Sequence, residues 1–289
     1  MKAIEKISYF LLKGCARWLR GLSQSMRQKL SDGMASLGFN FITKRKDAAL
    51  ANIKHAFPKK NSKWHFDILK GTYRFFLENF IVFMSFPQVF QKINYSISGK
   101  SLLDDALQKG KGIVLITGHF GSWELLGAWL GRMGYPLWGV AQKQRNLGAN
   151  QFFFEQRGAN NVGQIFRKDS LDKMYEILED NKILALVSDQ DAKGNGIFVD
   201  FFNIPASTTK GAARFHLKTG SPMIFSSCVK TGYNQYHITF EPVPNGRNIK
   251  EITQSFTQIL ENKIRQYPEQ YFWFHRRWKT KQNEDEPQN

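Results

Sequence analysis

Residues 112–127 hold an imidazole and a carboxylate five positions apart, His119 and Glu124, within Gly-His-Phe-Gly-Ser-Trp-Glu-Leu-Leu-Gly. A carboxylate that accepts from one imidazole nitrogen fixes the tautomer. The other nitrogen is then free to take a proton from a hydroxyl, as a general base does. Gly118 and Gly121 bracket the turn and would let the backbone bend sharply and approach a substrate. The same residue types also have structural uses. A first-turn glutamate complements a helix dipole, and a histidine at a strand end is often only hydrogen-bonded structure. Spacing alone leaves both readings open.

The elements that must position the pair are legible around it. Ile113-Val114-Leu115-Ile116 is apolar at every position and rich in β-branched residues, which suits a strand covered on both faces, hence a parallel sheet. A helical pattern opens at Ser122, so the chemistry falls at the carboxyl end of a strand, where ligands of such sheets sit. Residues 135–142 and Lys182–Val187 predict two more buried strands, the latter ending in Asp189-Gln190-Asp191. Residues 101–112, capped by Ser101, and 170–181 predict helices between them. Further on, 198–228 predicts an aromatic loop, a helix N-capped by Thr208 or Thr209, and a strand from 222. Residues 236–243 predict a strand nearer the sheet edge with His237 outward, and 248–268 a last amphipathic helix. His55 and His65 are expected at the surface, and His216 packed. The fold class is therefore α/β: a mixed, mostly parallel sheet flanked by helices.

Upstream of this core the pattern changes. Across residues 2–30, Ile4, Ile7, Leu11, Cys15, Trp18 and Leu22 recur at helical spacing, with Lys2, Lys6, Lys13, Arg17 and Arg20 on the remaining faces. A basic amphipathic helix of this kind either packs on the protein's own core or lies in the headgroup boundary of an anionic membrane, where each cation adds roughly 1 kcal/mol; the flanking cations favour the membrane. Residues 71–87 form a helical run so rich in Phe that nearly every face is apolar; Tyr73, Phe76, Phe80 and Phe83 either pack in the core or border an acyl chain. Three segments follow: a helical membrane-associated region 1–98, an α/β core 99–280, and a polar tail 281–289.

Charge narrows the partners. The chain has 289 residues, 41 Lys and Arg against 24 Asp and Glu, and a formal net charge of +17, so anionic surfaces attract it. No zinc-finger, RNA-binding aromatic or basic heptad pattern accompanies that charge, which argues for membrane rather than nucleic acid. Cys15 and Cys228 stand far apart, so neither a disulfide scaffold nor a thiol-ligated metal is indicated. No apolar run reaches about 18 residues and no cleavable signal peptide is seen, so the chain is expected not to span the bilayer. Residues 143–168 carry Lys143, Arg145, Arg157, Arg167 and Lys168 just past a strand end. Asp189 and Asp191 also suit a hard cation, as in a metal-dependent glycosyltransferase, but no second carboxylate cluster supports that reading.

Four segments in order, Ala56-Phe57-Pro58, His119 to Glu124 within Gly-His-Phe-Gly-Ser-Trp-Glu-Leu-Leu-Gly, Asp189-Gln190-Asp191, and Pro-Glu-Gln-Tyr-Phe-Trp-Phe-His-Arg-Arg-Trp-Lys at 268–279, make the chain resemble the bacterial lipid A biosynthesis late acyltransferases over nearly its whole length. The resemblance implies acyl transfer from an acyl thioester, on acyl carrier protein or coenzyme A, to a hydroxyl of a lipid A precursor or related glycolipid at the cytoplasmic face of the inner membrane. It implies His119 as base, Glu124 as its orienting partner, and no cofactor or metal. It also implies that Arg157 and Arg167 lie near the site, where a guanidinium grips phosphate or carboxylate oxygens bidentately, and that Asp189 and Gln190 line it. Two other readings stay in view: a lysophospholipid or other glycolipid acyltransferase outside lipid A synthesis, and a non-catalytic protein that binds anionic lipid.

Overall fold

The computed structural model describes residues 1–41 and 45–282. Four helices come first: α1 (Ala3–Gly21), α2 (Gln24–Phe41), α3 (Lys46–Ala56) and α4 (Ser62–Met84). The core then alternates: β1 (Asn94–Ser98), α5 (Lys100–Gln108), β2 (Ile113–Thr117), α6 (Trp123–Arg132), β3 (Leu137–Ala141), α7 (Leu147–Gly158), β4 (Gly163–Phe166), α8 (Leu171–Glu179) and β5 (Ile183–Val187). It ends with β6 (Ile197–Phe201), β7 (Ile204–Thr208), α9 (Gly211–Thr219), β8 (Met223–Gly232), β9 (Gln235–Pro242) and α10 (Ile249–Gln266).

Seven strands form one sheet in the order β1-β9-β8-β2-β5-β3-β4. The pairs β8/β2, β2/β5, β5/β3 and β3/β4 are parallel, and β8/β9 is antiparallel. This is the mixed, mostly parallel α/β sheet read from the sequence. The apolar run of β2 is buried at all five positions. Val114 and Ile116 enter one core with α8, α9, α10 and the C-terminal aromatics, while Ile113 and Leu115 enter a second with α5, α6 and the end of α4. Side chains of a strand alternate faces, so one unbroken apolar run supplies both layers.

Several local expectations are corrected. The single helix over 2–30 breaks at Leu22-Ser23 into α1 and α2. α5 is capped not by Ser101, which lies in its first turn, but by Gly99 at φ +74°, a conformation that glycine adopts freely. The aromatic loop after Gly196 is an antiparallel hairpin, β6/β7. Thr208 does not cap α9, because its hydroxyl accepts from Arg277 and donates to the Ala206 carbonyl. His65 is buried rather than exposed, its Nε2 2.9 Å from the Phe57 carbonyl. β9 is second from the edge, covered by β1, so the ring of His237 meets the Ser96 hydroxyl at 2.7 Å. β1 thus places part of the 1–98 segment in the main sheet. The polar tail expected over 281–289 lies, apart from Lys281 and Gln282, outside the described residues.

The apolar stripe of α1 faces outward. Ile4, Ile7, Phe10, Leu11 and Trp18 are between 56% and 68% exposed, whereas Ala16 and Leu19 are buried. The inner side is fixed to α7 by polar contacts: Tyr9 and Lys13 on the Glu155 carboxylate at 2.9 and 2.7 Å, and Arg20 on Gln156 at 2.9 Å. Among the described residues, no helix is long and apolar enough to cross a membrane.

Candidate active site

β2 and β5 pair in register from Ile113↔Ile183 to Thr117↔Val187, and Ser188 N–H continues the ladder to the Thr117 carbonyl at 3.0 Å. Two residues beyond each strand, His119 and Asp189 meet: Nδ1 lies 2.8 Å from Oδ1. The imidazole side chain is 26% exposed and the carboxylate 2%. With Asp189 ionised, Nδ1–H donates and Nε2 is left as the free basic nitrogen. Burial alone would push the Asp189 carboxyl up. The charge and hydrogen bonds of His119, including its backbone amide, and the charge of Arg277 hold it below the usual carboxylate range. Burial lowers His119 in turn, yet Asp189 through charge and hydrogen bond, and Glu124 through charge, bring it above the ordinary imidazole value.

The expected bond from Glu124 to the imidazole is not made. Glu124, in the first turn of α6, accepts from Arg157 at the end of α7, Nε to Oε2 at 3.0 Å and Nη2 to Oε1 at 2.5 Å. A planar guanidinium fork matches both carboxylate oxygens and fixes Glu124 more firmly than one imidazole N–H would. This corrects the Glu124–imidazole expectation and sets the Arg157 guanidinium on a protein carboxylate. Its third contact is Gln164 Oε1 at 3.3 Å. Despite burial, Glu124 raises the Arg157 pKa, so the guanidinium stays charged.

Arg167 stands just past β4, its amide bonded to the Ala141 carbonyl and its side chain exposed. β4 is three strands from β2, roughly 14 Å away at about 4.8 Å per strand, so Arg167 and His119 share the carboxyl end of the sheet without touching. Gln190 is closer, its amide nitrogen 3.5 Å from His119 Nε2, a near approach rather than a strong bond. Asp191 points away from Asp189's partner: its amide donates to His275 Nε2 at 3.0 Å and its Oδ2 accepts from Thr280. The Asp-x-Asp is therefore split between two networks. No cluster of three metal-ligating side chains occurs among the described residues.

Both glycines of the turn are pressed against protein rather than facing a substrate. A Cβ on Gly121, at φ +60°, would sit 2.2 Å from the Cys228 carbonyl, and one on Gly118 would sit 3.0 Å from Leu260. Aromatic rings enclose the imidazole instead: Trp123 lies 5.3 Å and Phe272 6.1 Å from it between centroids, and Phe76 of α4 touches both. Of the four rings singled out on α4, Phe76 alone reaches this enclosure. Tyr73 packs on Phe39 and Phe274, Phe83 on Phe86 and Phe153, and Phe80 is partly exposed. The model for bacterial lipid A biosynthesis acyltransferases matches residues 2–280.

The chain belongs to that family.

Similar proteins include a phosphatidylinositol mannoside acyltransferase of Mycobacterium tuberculosis, 23% identical over 200 residues, or 68% of this chain and 63% of that protein. The match thus spans somewhat less than two thirds of that relative's length. A lipid A biosynthesis palmitoleoyltransferase of Escherichia coli is 24% identical over 83% of this chain and 81% of its own. A lipid A biosynthesis acyltransferase of Haemophilus influenzae is 28% identical over 61% of this chain and 58% of its own.

The site residues that sequence reading missed are Tyr271, His275 and Arg277. The segment 271–280 is sewn to the site by Phe272 N–H on the His119 carbonyl and by a bridge between Phe120 and Tyr271. Their motif carried the resemblance, but nothing local in it says that a segment more than 150 positions away packs against His119.

Proposed function

We propose that this protein is a membrane-associated O-acyltransferase that moves a fatty acyl group from an acyl thioester, on acyl carrier protein or coenzyme A, to a hydroxyl of a glycolipid at the cytoplasmic face of the inner membrane. The observation that carries this reading is the His119–Asp189 bond at the carboxyl ends of adjacent strands, which leaves Nε2 as the free base. Asp189 takes the orienting role expected of Glu124. Glu124 still adds to the basicity of His119 by its charge, and with Arg157 it holds the start of α6 against α7.

In this reading Nε2 takes the acceptor hydroxyl proton as the oxygen attacks the thioester carbonyl carbon. A C–O bond forms and the carbonyl π pair moves onto oxygen. Collapse of that intermediate breaks the C–S bond, and the leaving thiolate takes the proton back from the imidazolium, giving an ester and a free thiol. Gln190, beside Nε2, is the side-chain donor we assign to the oxyanion. The aromatic enclosure of Phe76, Trp123 and Phe272 gives the acyl chain an apolar surface. The outward apolar stripe of α1, interspersed with lysines and arginines, lays the protein on anionic lipid.

The lipid A relatives favour a lipid A precursor as acceptor. The mannoside relatives favour a second reading, a glycolipid outside lipid A synthesis, that the same site serves equally. In either case the exposed Lys143, Arg145, Arg167 and Lys168, at the ends of β3 and β4, suit the phosphate of acceptor or carrier. Purified protein, labelled acyl thioesters and both acceptor classes test this. Transfer to one acceptor that His119→Ala abolishes supports the reading; no transfer by wild type, or transfer unchanged by the substitution, defeats it.

A further inference from the structure

The C-terminal segment carries one charge that the reaction scheme leaves unused. Arg277 is 2% exposed. It donates to the Ser207 carbonyl at 2.7 Å and to the Thr208 hydroxyl at 2.5 Å, and its guanidinium lies 5.2 Å from the Phe201 ring centroid. Among the described residues no carboxylate lies within ion-pair distance of it. Neutral partners thus hold the fork and leave its charge uncancelled. Arg277 sits on the segment that packs on the site: Phe272 N–H donates to the His119 carbonyl at 2.9 Å, and His275, two residues before Arg277, accepts from the Asp191 amide at 3.0 Å. Its charge reaches Asp189 and Asp191, with Tyr271 beside them.

The segment is built to keep Arg277 there. Asn52 of α3 donates through one amide nitrogen to the Trp273 and His275 carbonyls, at 2.7 and 2.5 Å. The His275 ring accepts from the Asp191 amide, and the Arg277 amide bonds back to the His275 carbonyl. Arg276, next in sequence, is exposed.

A base must be neutral before it can act. While His119 is neutral, Asp189 is a buried carboxylate whose hydrogen-bonding partners, the imidazole and the Tyr271 hydroxyl, carry no charge. A buried anion among neutral groups takes up a proton. Protonated Asp189 would no longer fix the His119 tautomer. Arginine supplies a cation that does not deprotonate, even when buried.

We propose that Arg277 is a positioning residue for acyl transfer, whose buried permanent charge keeps Asp189 ionised while His119 is neutral and thereby sets the basicity of His119. This rests on the acyl-transfer reading above. The charged and titratable groups in play are few. Asp189, Glu124 (held by Arg157) and His275 face His119; Asp189, Asp191, Tyr271 and His275 face Arg277. Removing a positive charge near a coupled pair raises each of its macroscopic pKa values, so the pair's last proton leaves at higher pH.

The test uses the full chain with 13C-labelled histidine. His119 is titrated by NMR, and kcat/KM is followed against pH, in wild type, Arg277→Gln, Arg276→Gln and Thr208→Val. In Arg277→Gln both the titration and the acid limb of activity move up by about one pH unit, as expected for losing one nearby opposite charge. Neither moves in Arg276→Gln, which removes an equal but exposed charge, or in Thr208→Val, which removes only a contact. If Arg277→Gln does not accumulate folded, citrulline in place of Arg277 keeps shape and donors without the charge and is read the same way. An unmoved titration without the charge, or an equal shift in Arg276→Gln, overturns the proposal. Transfer that survives His119→Ala overturns instead the acyl-transfer reading, because the NMR titration needs no turnover.

Discussion

His119 and Asp189 are 70 residues apart, the same offset that relates every residue of β2 to its partner in β5. The pair is a continuation of strand register, so a rigid parallel ladder delivers an imidazole and a carboxylate to 2.8 Å without a dedicated loop. Loss of either member should therefore abolish catalysis with little change in fold. His119→Ala and Asp189→Asn are each expected to lower kcat on the order of 10²-fold or more. Steady-state transfer assays with circular dichroism as a fold control check this, and near-normal turnover in Asp189→Asn would return the orienting role to another group.

The pH dependence has a definite sign. His119 is raised above the ordinary imidazole value, and the base must be neutral, so kcat/KM should climb through an apparent pKa above about 6.5. Stability runs the other way. The protonated pair contributes stability that is fully present below about pH 6.5 and is lost as pH rises through the higher folded value. The melting-temperature gap between wild type and His119→Ala should accordingly shrink from pH 6 toward pH 8. A gap that grows would contradict the pairing.

Glu124→Gln breaks a bidentate contact between two side chains about a quarter exposed. The expected loss is about 1–2 kcal/mol, below that of a fully buried pair because water reaches both groups. The double variant Glu124→Gln, Arg157→Met should lose less than the sum of its two singles, since neither charge is then left unpaired. Denaturant titration of the four proteins measures the coupling, and strict additivity would mean that the pair stabilises nothing. For turnover, Glu124→Gln should lower kcat less than Asp189→Asn, because Glu124 acts on His119 by charge alone.

Gln190→Ala removes the donor nearest Nε2. An oxyanion donor acts on the transition state, so kcat should fall by about 10²-fold while KM changes little. A pure KM effect would place Gln190 in substrate binding instead.

On α1, Ile7→Glu together with Trp18→Glu places two carboxylates in the outward stripe without touching the contacts to α7. Partition onto anionic vesicles should weaken by at least about 10-fold, given roughly 1.5–3 kcal/mol for each large apolar side chain fully buried. The melting temperature should hold. Unchanged vesicle cosedimentation would remove α1 as the membrane contact.

The sequence by itself determined the central elements of the sheet and pointed to the candidate base. An unbroken apolar run flanked by helical periodicities reads as a strand covered on both faces, and His119 follows its end by two residues, so the fold class and the candidate imidazole were local readings. The apolar stripe of α1 was local too, because 3.6-residue periodicity is a property of one helix, but that it faces outward was decided by the contacts of Tyr9, Lys13 and Arg20 to α7. What the tertiary structure decided is which groups those elements bring together. Glu124 was assigned to His119 because it is near in sequence, yet at the start of α6 it meets the fork of Arg157, while strand pairing brings Asp189 across from 70 residues away. Arg157 and Arg167 were both expected near the site; packing set one against Glu124, and an edge strand left the other in solvent. Asn52, Tyr271 and Arg277 were invisible as site residues for the same reason. A side chain's chemistry is fixed by its type, but its charge state and role are fixed by burial and partners, and those exist only once distant segments are packed.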